Sequence, residues 1–370
     1  MNLYSPHNGH ALTPVGEHLL SDGELLWPVL DNIAYLRPKH AVRTQAVELI
    51  QTGQIQAALV CLLQDQDPFA PIAAPDDEAV YSVIEDNLSL RQAMQQLNYG
   101  PVADYFAHRR ATPTYLSGLA LLQHVVHHER TVIEFACGIG HFLATLEAHG
   151  FDTLGTDLVF SKLWLARHYL NVQGLLVCSD INFPVIHTEQ PATVFCHDAL
   201  YFFENKTQVL EHLRTLANGG SLAVGHVHTN SVDHNVAGYP LAVQDYAELA
   251  DSHLFFDDMA LTRNWFEPQN PSTMQPDSEA VAWIEGETNT APYLLHKPAS
   301  RLQLNPMIDL DNNCIHWPTP RFQQEYADDA AYLNWSDKER LALQHDTPLS
   351  DQQTHDLFQR RVLVDLPAAW

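Results

Sequence analysis

Short apolar runs alternate with amphipathic segments between residue 131 and about residue 228. The runs have the length of strands, and the segments between them repeat their apolar residues at helical spacing. Such alternation is typical of an α/β fold with a doubly wound, mostly parallel sheet. In chain order the predicted strands are TVIEF, DTLGTD, LLVCSD, ATVFCHD and SLAVGHV. Two further strands, within HLFFDDMAL and AVAWIEG, bring the expected sheet to seven strands.

The flanking segments have different patterns, which divide the chain into four parts. Residues 1–75 predict a small α+β accessory unit, with two short strands in LLSDGELLWPVLDNIAYLRP and two helices broken near Gly53. Residues 76–130 predict a helical cap or lid, which begins near the Pro-rich, acidic connection DQDPFAPIAAPDDE. Residues 131–295 contain the predicted sheet, and residues 296–370 form an aromatic and acidic C-terminal extension.

Composition and charge narrow the classes of function. The chain has 370 residues, of which 46% are hydrophobic, and this is enough to bury a large core. Its formal net charge of −26 opposes binding to nucleic acid or to an anionic membrane. The five cysteines form no CxxC pair, and the sequence has neither a secretory signal pattern nor a run of about 18 apolar residues. We therefore expect a soluble, cytoplasmic protein that acts on a small neutral or cationic molecule.

The stretch VIEFACGIGHF, residues 132–142, carries the first chemical signal. It is a predicted strand that ends in a turn with Gly138 and Gly140. In an open parallel sheet, ligands bind beyond the carboxyl ends of the strands, and glycine lets the backbone come close to them. A dinucleotide fingerprint, GxGxxG, needs a third glycine where Leu143 stands. The turn therefore favours a bulky ligand other than a dinucleotide, although glycines at one turn are equally well explained as turn residues alone.

The pattern E-x-A-x-G-x-G that starts at Glu134 resembles the first motif of class I S-adenosylmethionine-dependent methyltransferases. That family usually has glycine where Ala136 stands. Asp157 ends the second predicted strand and Asp180 ends the third, as acids do in the family. The resemblance implies a Rossmann-like core that binds S-adenosylmethionine, with Asp157 on the ribose hydroxyls and Asp180 at the adenine amino group. The residues that it places at the cofactor are Glu134, Ala136, Cys137, Gly138, Gly140, Phe142, Asp157, Leu158, Asp180, Ile181, Asp198, Arg109 and Tyr115.

Two finer resemblances concern other parts of the chain. The segment from CHDALYFF to GHVHTN, followed by GYPLAVQDYAEL, resembles a bacterial subgroup of these enzymes that is associated with tailoring of small molecules and sugars. DGELLWPVLDNIAYLRP is similar to small zinc-ribbon-like modules that accompany some methyltransferases, but it lacks the cysteines that would hold zinc. This implies a metal-free packing or dimerisation module, and a homodimer is one expected arrangement. In the helical cap, Tyr105, Arg109 and Tyr115 are expected lid residues, with Arg109 on the methionine carboxylate.

The methyl acceptor is expected beyond the fourth and fifth strands. CHDALYF places His197, Asp198 and Tyr201 there, and GHVHTN places His226 and His228 on one face at the end of the fifth strand. One of the three histidines, or Tyr201, is the expected catalytic base. The chain has 22 histidines, so each is also explained as a surface or packing residue.

A metal site is the alternative for part of this region. His226, His228, Asp233 and His234 have the ligand types of zinc, iron or nickel sites. Because histidine-rich loops are expected in so histidine-rich a chain, the packing interpretation is favoured and no metal is expected.

These observations lead to one hypothesis of function and its rivals. We expect an S-adenosylmethionine-dependent methyltransferase that acts on an oxygen or nitrogen atom of a small metabolite or natural-product intermediate. A catalytically silent S-adenosylmethionine-binding scaffold or partner subunit is the alternative, because it could keep the strand-end acids without an acceptor pocket. A metal-dependent hydrolase would leave the glycine turn unexplained.

Overall fold

A computed structural model describes residues 2–66, 73–126, 130–231, 238–252, 254–266, 275, 277–288 and 295–370. Its strands are β1 (Asn2–Leu3), β2 (Thr13–Pro14), β3 (Leu19–Ser21), β4 (Leu26–Leu30), β5 (Ile33–Tyr35), β6 (Val132–Phe135), β7 (Thr153–Asp157), β8 (Leu175–Cys178), β9 (Ile186–His187), β10 (Thr193–His197), β11 (Ser221–His228), β12 (Leu254–Asp257), β13 (Ala280–Glu285), β14 (Gln303–Leu304), β15 (Ile308–Asp309), β16 (Cys314–Ile315) and β17 (Leu363–Val364). Its α-helices are α1 (His40–Gln51), α2 (Ile55–Leu63), α3 (Asp77–Glu85), α4 (Leu90–Gln96), α5 (Val102–His108), α6 (Pro113–Gln123), α7 (His141–Ala148), α8 (Phe160–His168), α9 (Lys206–Ala217), α10 (Val243–Leu249), α11 (Asp258–Phe266), α12 (Pro320–Tyr326), α13 (Asp337–Gln344) and α14 (Asp351–Gln359). This succession confirms the α/β fold.

The central sheet has the strand order β12-β13-β11-β10-β6-β7-β8-β5-β4-β3-β2. The six strands from β11 to β5 run parallel to one another. At one side β13 is antiparallel to both β11 and β12, so β12 points in the same direction as β11. The carboxyl ends of β6, β7, β8, β10, β11 and β12 therefore lie along one edge of the sheet.

Among the residues that the structure describes, the sheet has eleven strands where seven were predicted. The difference lies in residues 1–75, whose strand β5 pairs in parallel with β8, Ile33 opposite Leu176 and Tyr35 opposite Cys178. All three residues of β5 are buried, so this strand continues the core rather than forming a separate unit. The first residues of the chain thus pack against the edge of the predicted sheet, and their role in dimerisation stays a prediction.

Side chains alternate between the two faces of the sheet, which helices cover on both sides. In β10, Phe195 packs into one hydrophobic cluster with α6 and α11, whereas Val194 and Cys196 pack into another with α9. Every residue of β10 is buried, as expected for a parallel strand between two helical layers. In the segment HLFFDDMAL, predicted as a strand, the strand stops at Asp257 and helix α11 begins at Asp258.

The C-terminal extension, whose pattern favours neither helix nor strand clearly, has its own hydrophobic cluster built from helices α12 and α14 and strands β15 and β17. It is fixed to the helices before the sheet by polar contacts. Arg110 donates to Asp365, and the Trp370 Nε1–H donates to the Ala107 carbonyl oxygen at 2.8 Å. The extension therefore holds the segment that joins α5 to α6.

All five cysteines are free thiols, and four of them are buried. Among the described residues, no helix combines the length and the apolar character that crossing a membrane requires.

Candidate active site

The turn after β6 holds three left-handed residues. Ala136, Gly138 and Gly140 have φ values of 54°, 55° and 78°. Gly140 is the residue before the first turn of α7, and the backbone N–H of Cys137 donates to the Thr156 carbonyl oxygen of β7 at 2.9 Å. An L-residue in this conformation costs about 1–2 kcal/mol relative to glycine, so Ala136 is held there by its surroundings.

Two buried acids support this turn. Asp157 accepts the Gly138 N–H through Oδ2 and the Val159 N–H through Oδ1, both at 2.9 Å. Glu134 accepts the backbone N–H of Leu143, while its Oε2 has no hydrogen-bond partner in the described part of the chain. Burial raises the pKa of Glu134 well above its usual range, although Arg109 opposes this shift. Glu134 therefore lies buried under the glycine turn with one carboxyl oxygen bonded to the backbone of α7.

The next strand end lies beside this turn. Asp180 follows β8 and accepts two hydrogen bonds from Asn182 on Oδ1, at 2.9 Å from the backbone N–H and 2.7 Å from Nδ2. Its side chain is partly exposed, as are those of Leu158 after β7 and Ile181. Because β6, β7 and β8 are parallel neighbours, the structure brings the glycine turn and the expected adenosine contacts to one edge of the sheet.

Helix α5 lies directly over the glycine turn. The Phe106 ring stands 2.9 Å from the position that a Cβ on Gly138 would take, and the Lys162 ammonium lies 5.9 Å from the centre of that ring. Tyr105 and Arg109 extend from the same segment to Asp198 at the end of β10. The cap thus reaches from the cofactor end to the acceptor end of the site.

Two residues expected at the cofactor lie inside the protein instead. Tyr115 is 1% exposed, donates to or accepts from the Thr145 hydroxyl at 2.6 Å, and stacks on Phe142 at 4.9 Å between ring centres. Phe142 is 4% exposed. The rings fill the space between α6 and α7, because both helices present an apolar face to the same cluster.

The acceptor end is built on Asp198 and His226, which both have left-handed backbones with φ of 58° and 46°. Tyr201 donates to Asp198 Oδ1 at 2.9 Å, Tyr105 donates to Oδ2, and Arg109 Nη1 lies 3.3 Å from Oδ2. His226 stands in an irregularity of β11 where the pairing with β13 shifts register. Such a bulge redirects a side chain, and here it brings His226 towards Asp198 and His228.

Asp258 at the start of α11 orients His226. The Nδ1–H of His226 donates to Asp258 Oδ2 at 2.8 Å, which leaves Nε2 as the ring nitrogen available to a ligand. Burial opposes the charged form of His226, but Asp258 and Asp198 outweigh it and raise its pKa to about 8. Burial also opposes the charged form of Asp198, yet His226 and Arg109 hold the pKa of that carboxyl well below its usual range.

His197 does not share this environment. It is 5% exposed, and its Nε2–H donates to the Thr114 carbonyl oxygen at 2.8 Å. Burial, assisted by Arg109, lowers the pKa of His197 to about 3, so the ring is neutral. These contacts enclose the ring between β10 and α6, and a role of His197 as the catalytic base stays a prediction.

Sequence reasoning missed Asp258 and Phe106. Asp258 follows β12, which points in the same direction as β11, so the rule that polar residues after parallel strands converge could have found it. No local pattern distinguishes Phe106 from other apolar residues of a helix. Asp233 and His234, named with the histidine cluster, lie outside the described residues.

Residues 133–224 match the family described as a methyltransferase domain. The chain therefore carries a methyltransferase domain. No curated protein matches the sequence.

Several solved structures resemble the methyltransferase domain and its flanks. A TehB-like methyltransferase from Corynebacterium glutamicum is 14% identical, over 46% of this chain and 87% of that one, with a TM-score of 0.35. In the complex of the Haloferax volcanii Trm112 methyltransferase activator with a methyltransferase, the matched chain is 15% identical over 55% of this chain and 100% of that one, with a TM-score of 0.39. Phosphoethanolamine N-methyltransferase 2 of Haemonchus contortus, in complex with S-adenosyl-L-methionine, is 15% identical over 53% of this chain and 59% of that one, with a TM-score of 0.35. These likenesses are too distant to indicate an acceptor.

The strand ends of the methyltransferase domain fit its cofactor, S-adenosylmethionine. The left-handed turn at Gly138 brings backbone to the ligand edge, and Glu134 keeps an unpartnered carboxyl oxygen beneath it. At the two adjoining strand ends, Asp157 and Asp180 are the residues that would accept the hydroxyl and amino hydrogen bonds of an adenosine. Phe106 covers this turn, so its ring must give way where the ligand contacts Gly138.

The acid at the end of β7 gives a first test. Replacing Asp157 by asparagine keeps its size but removes the charge that accepts hydroxyl hydrogen bonds, and we expect S-adenosylmethionine to bind about 10- to 100-fold more weakly. Asp152→Asn, at the exposed amino end of the same strand, serves as the matched control and is expected to leave affinity unchanged. Calorimetric titration measures both, and equal affinity in the two variants would remove Asp157 from the cofactor site.

Proposed function

We propose that this enzyme transfers the methyl group of S-adenosylmethionine to an oxygen or nitrogen atom of a small molecule. The acceptor lies beyond the ends of β10 and β11. The observation that carries this proposal is the hydrogen bond between His226 and Asp258, which fixes a ring nitrogen at the same strand edge as the glycine turn. The cofactor supplies a methyl group on a sulfonium, which is reactive without further activation, so the protein mainly aligns the reactants.

Each part of the site has a separate task under this proposal. Asp157 and Asp180 hold the adenosine, while Arg109, beside Glu134 and Asp198, holds the carboxylate of the methionine portion. His226 and Tyr201 contact the polar atom of the acceptor, and Asp258 keeps His226 in one orientation. The acidic surface of the chain repels anions at long range, so an acceptor that arrives uncharged or positive is favoured.

A catalytically silent S-adenosylmethionine-binding scaffold is the second candidate. The observation that favours it is the position of Phe106, whose ring covers the glycine turn, together with the bonds that Tyr105 and Arg109 make to Asp198. In a scaffold, Tyr105 and Arg109 would stay bonded to Asp198, and no acceptor would reach the methyl group.

Transfer of a labelled methyl group separates the two candidates. Purified protein is incubated with methyl-labelled S-adenosylmethionine and a collection of small hydroxyl and amine metabolites, and labelled products are identified by mass. We expect at least one product that forms only with the parent protein and not with His226→Ala. Cofactor binding by calorimetry without any labelled product, in the full collection, would support the scaffold instead.

A further inference from the structure

We propose that Asp198, His226 and His228 form a binding site for one zinc ion at the acceptor end of the methyltransferase domain. One ligand atom from each of these residues lies within 4.8 Å of the ligand atoms of the other two. The inference rests on the proposed function, because the same side chains line the acceptor site, and it replaces the direct contact of His226 with the acceptor by a contact through the zinc ion. It replaces the expectation that His226 and His228 are packing residues and that no metal binds.

The spacing of the three residues suits a single ion. Protein ligands hold zinc at about 2.0–2.2 Å, so three tetrahedral ligand atoms around it lie roughly 3.3–3.6 Å apart. Ligand atoms within 4.8 Å of one another therefore need to close by at most about 1.5 Å, a distance within the reach of side-chain rotation. Asp198 and His226 directly follow the last paired residues of the two strands, His197 and Gly225, and the Asp198 backbone N–H donates to the Gly225 carbonyl oxygen at 2.9 Å.

The surrounding hydrogen bonds are those that orient metal ligands. His226 donates its Nδ1–H to Asp258 at 2.8 Å, so Nε2 points away from Asp258. A histidine that binds zinc through one nitrogen usually donates the other N–H to a carboxylate in this way. Asp198 in turn accepts hydrogen bonds from Tyr201 and Tyr105, which hold its carboxylate in place.

The ligand types favour zinc among the common divalent ions. Magnesium and calcium prefer sites made of oxygen atoms alone, whereas two imidazoles and one carboxylate are a catalytic zinc set with a fourth position open to a ligand. Iron also binds such a set. Methyl transfer moves no electrons between the reactants and a metal, so the redox chemistry of iron has no use in this reaction.

The charges around the site indicate which acceptor it takes. Asp198 and Asp258 carry two negative charges there, while Arg109 lies 3.3 Å from Asp198 and carries one positive charge. A zinc ion adds two positive charges that offset the two carboxylates, and the methionine carboxylate assigned to Arg109 offsets the guanidinium. Because zinc stabilises an oxygen anion in its open position, the site favours a hydroxyl acceptor over an amine.

The reaction at a zinc-bound hydroxyl balances without another reagent. Zinc lowers the pKa of a bound O–H, and the proton passes to solvent water. A lone pair of the acceptor oxygen then forms the new O–C bond, and the electron pair of the broken C–S bond remains on the sulfur of S-adenosylhomocysteine. Zinc neither gains nor loses electrons in this step.

Zinc binding is tested on the full chain without any acceptor. Protein purified without a metal-affinity step is freed of metal by chelator dialysis and titrated with Zn²⁺ alone in competition with a chromophoric chelator. We expect one Zn²⁺ per chain, bound at least 100-fold more weakly by His228→Gln and by His226→Ala. Asp258→Asn, which loses only the orienting carboxylate, is expected to weaken binding about 10- to 100-fold.

The matched control is a second cluster with ligand spacing, formed by Asp309, Cys314 and His316 on the C-terminal extension. His316→Ala is expected to leave the tight site unchanged. Unchanged affinity in the His228 and Asp258 variants, no tight binding by the parent protein, or a loss on His316→Ala would each overturn the zinc site. Thermal melts show which variants fold. If His226→Ala does not fold, the affinities of His228→Gln and Asp258→Asn are sufficient to test the zinc site.

Methyl transfer by the same preparations separates this inference from the proposed function. Transfer that stops on chelation and returns with Zn²⁺ supports both. Transfer that continues in metal-free protein overturns the zinc site and leaves the proposed function intact. Tight Zn²⁺ binding without a labelled product in the whole collection contradicts the proposed function and leaves the zinc site standing.

Discussion

His226→Ala is expected to lower turnover by roughly 10²–10⁴-fold, with S-adenosylmethionine affinity within about twofold of that of the parent protein. The reason is its position. His226 is held by Asp258 at the end of β11, and β10 with Asp198 separates it from the glycine turn after β6. Within the described part of the chain, no residue expected at the cofactor is hydrogen-bonded to it. The change therefore removes a contact to the acceptor without disturbing the adenosine end. Single-turnover kinetics with the labelled cofactor, combined with calorimetry, measures both quantities.

His149→Ala provides the control for this variant. His149 is also a partly buried histidine, bonded through Nδ1 to the Thr145 carbonyl oxygen, but it follows α7 at the opposite edge of the sheet. Its replacement is expected to leave turnover unchanged. If both variants lose turnover to the same extent, or if His226→Ala loses cofactor affinity in proportion, the role of His226 is structural.

The second large effect concerns stability. Asp365→Asn is expected to lower the free energy of unfolding by about 3–5 kcal/mol, because it leaves buried arginines without a counter-charge. Asp365 is 2% exposed, accepts from Arg110, accepts the Ala299 N–H at 2.9 Å, and lies 3.9 Å from Arg361 Nη1. Arg361 is fully buried among aromatic rings and has no hydrogen-bond partner for its guanidinium within the described residues. Urea denaturation followed by tryptophan fluorescence measures the change.

Asp337→Asn is the comparison for this variant. Asp337 forms an ion pair with Arg340 at 3.5 Å, but its side chain is 84% exposed, so water replaces the interaction at little cost. We expect its unfolding midpoint to match that of the parent protein. A similarly small change for Asp365→Asn would mean that the junction between the extension and the helices at Arg110 contributes little to stability.

The convergence of the residues expected at the cofactor was predictable from the sequence, because these residues follow consecutive parallel strands. Asp157 and Asp180 come directly after apolar runs of strand length, and in a parallel sheet such positions converge whatever the connections are. Ala136 shows the limit of the same reasoning. The sequence identifies it as the departure from the glycine pattern, but only the backbone shows that its φ of 54° lies in the region that glycine favours.

The acceptor end required distances that no local pattern contains. His197 and His226 both stand at strand ends in the sequence, yet one is sealed against Thr114 and the other is turned towards Asp198 by a bulge. Periodicity cannot locate this bulge, because β11 is buried on both faces up to Gly225 and so has no apolar–polar alternation whose phase an extra residue would shift. Asp258 reaches His226 only through the position of β12 at the edge of the sheet.

The pairing of β5 with β8 also constrains how the chain is made. Ile33 and Leu176 are about 140 residues apart, so at roughly 5–20 residues per second the ribosome delivers β8 about 7–30 s after β5. Until then, the apolar residues of the N-terminal strands can be covered only by segments that are close to them in the sequence. Helix α1 provides it, because Arg43 donates to the Leu26 carbonyl oxygen at 3.1 Å and lies over the Trp27 ring. A nascent chain halted before β8 would hold these hairpins with an unpaired strand edge, which is the surface that chaperones and stray strands bind.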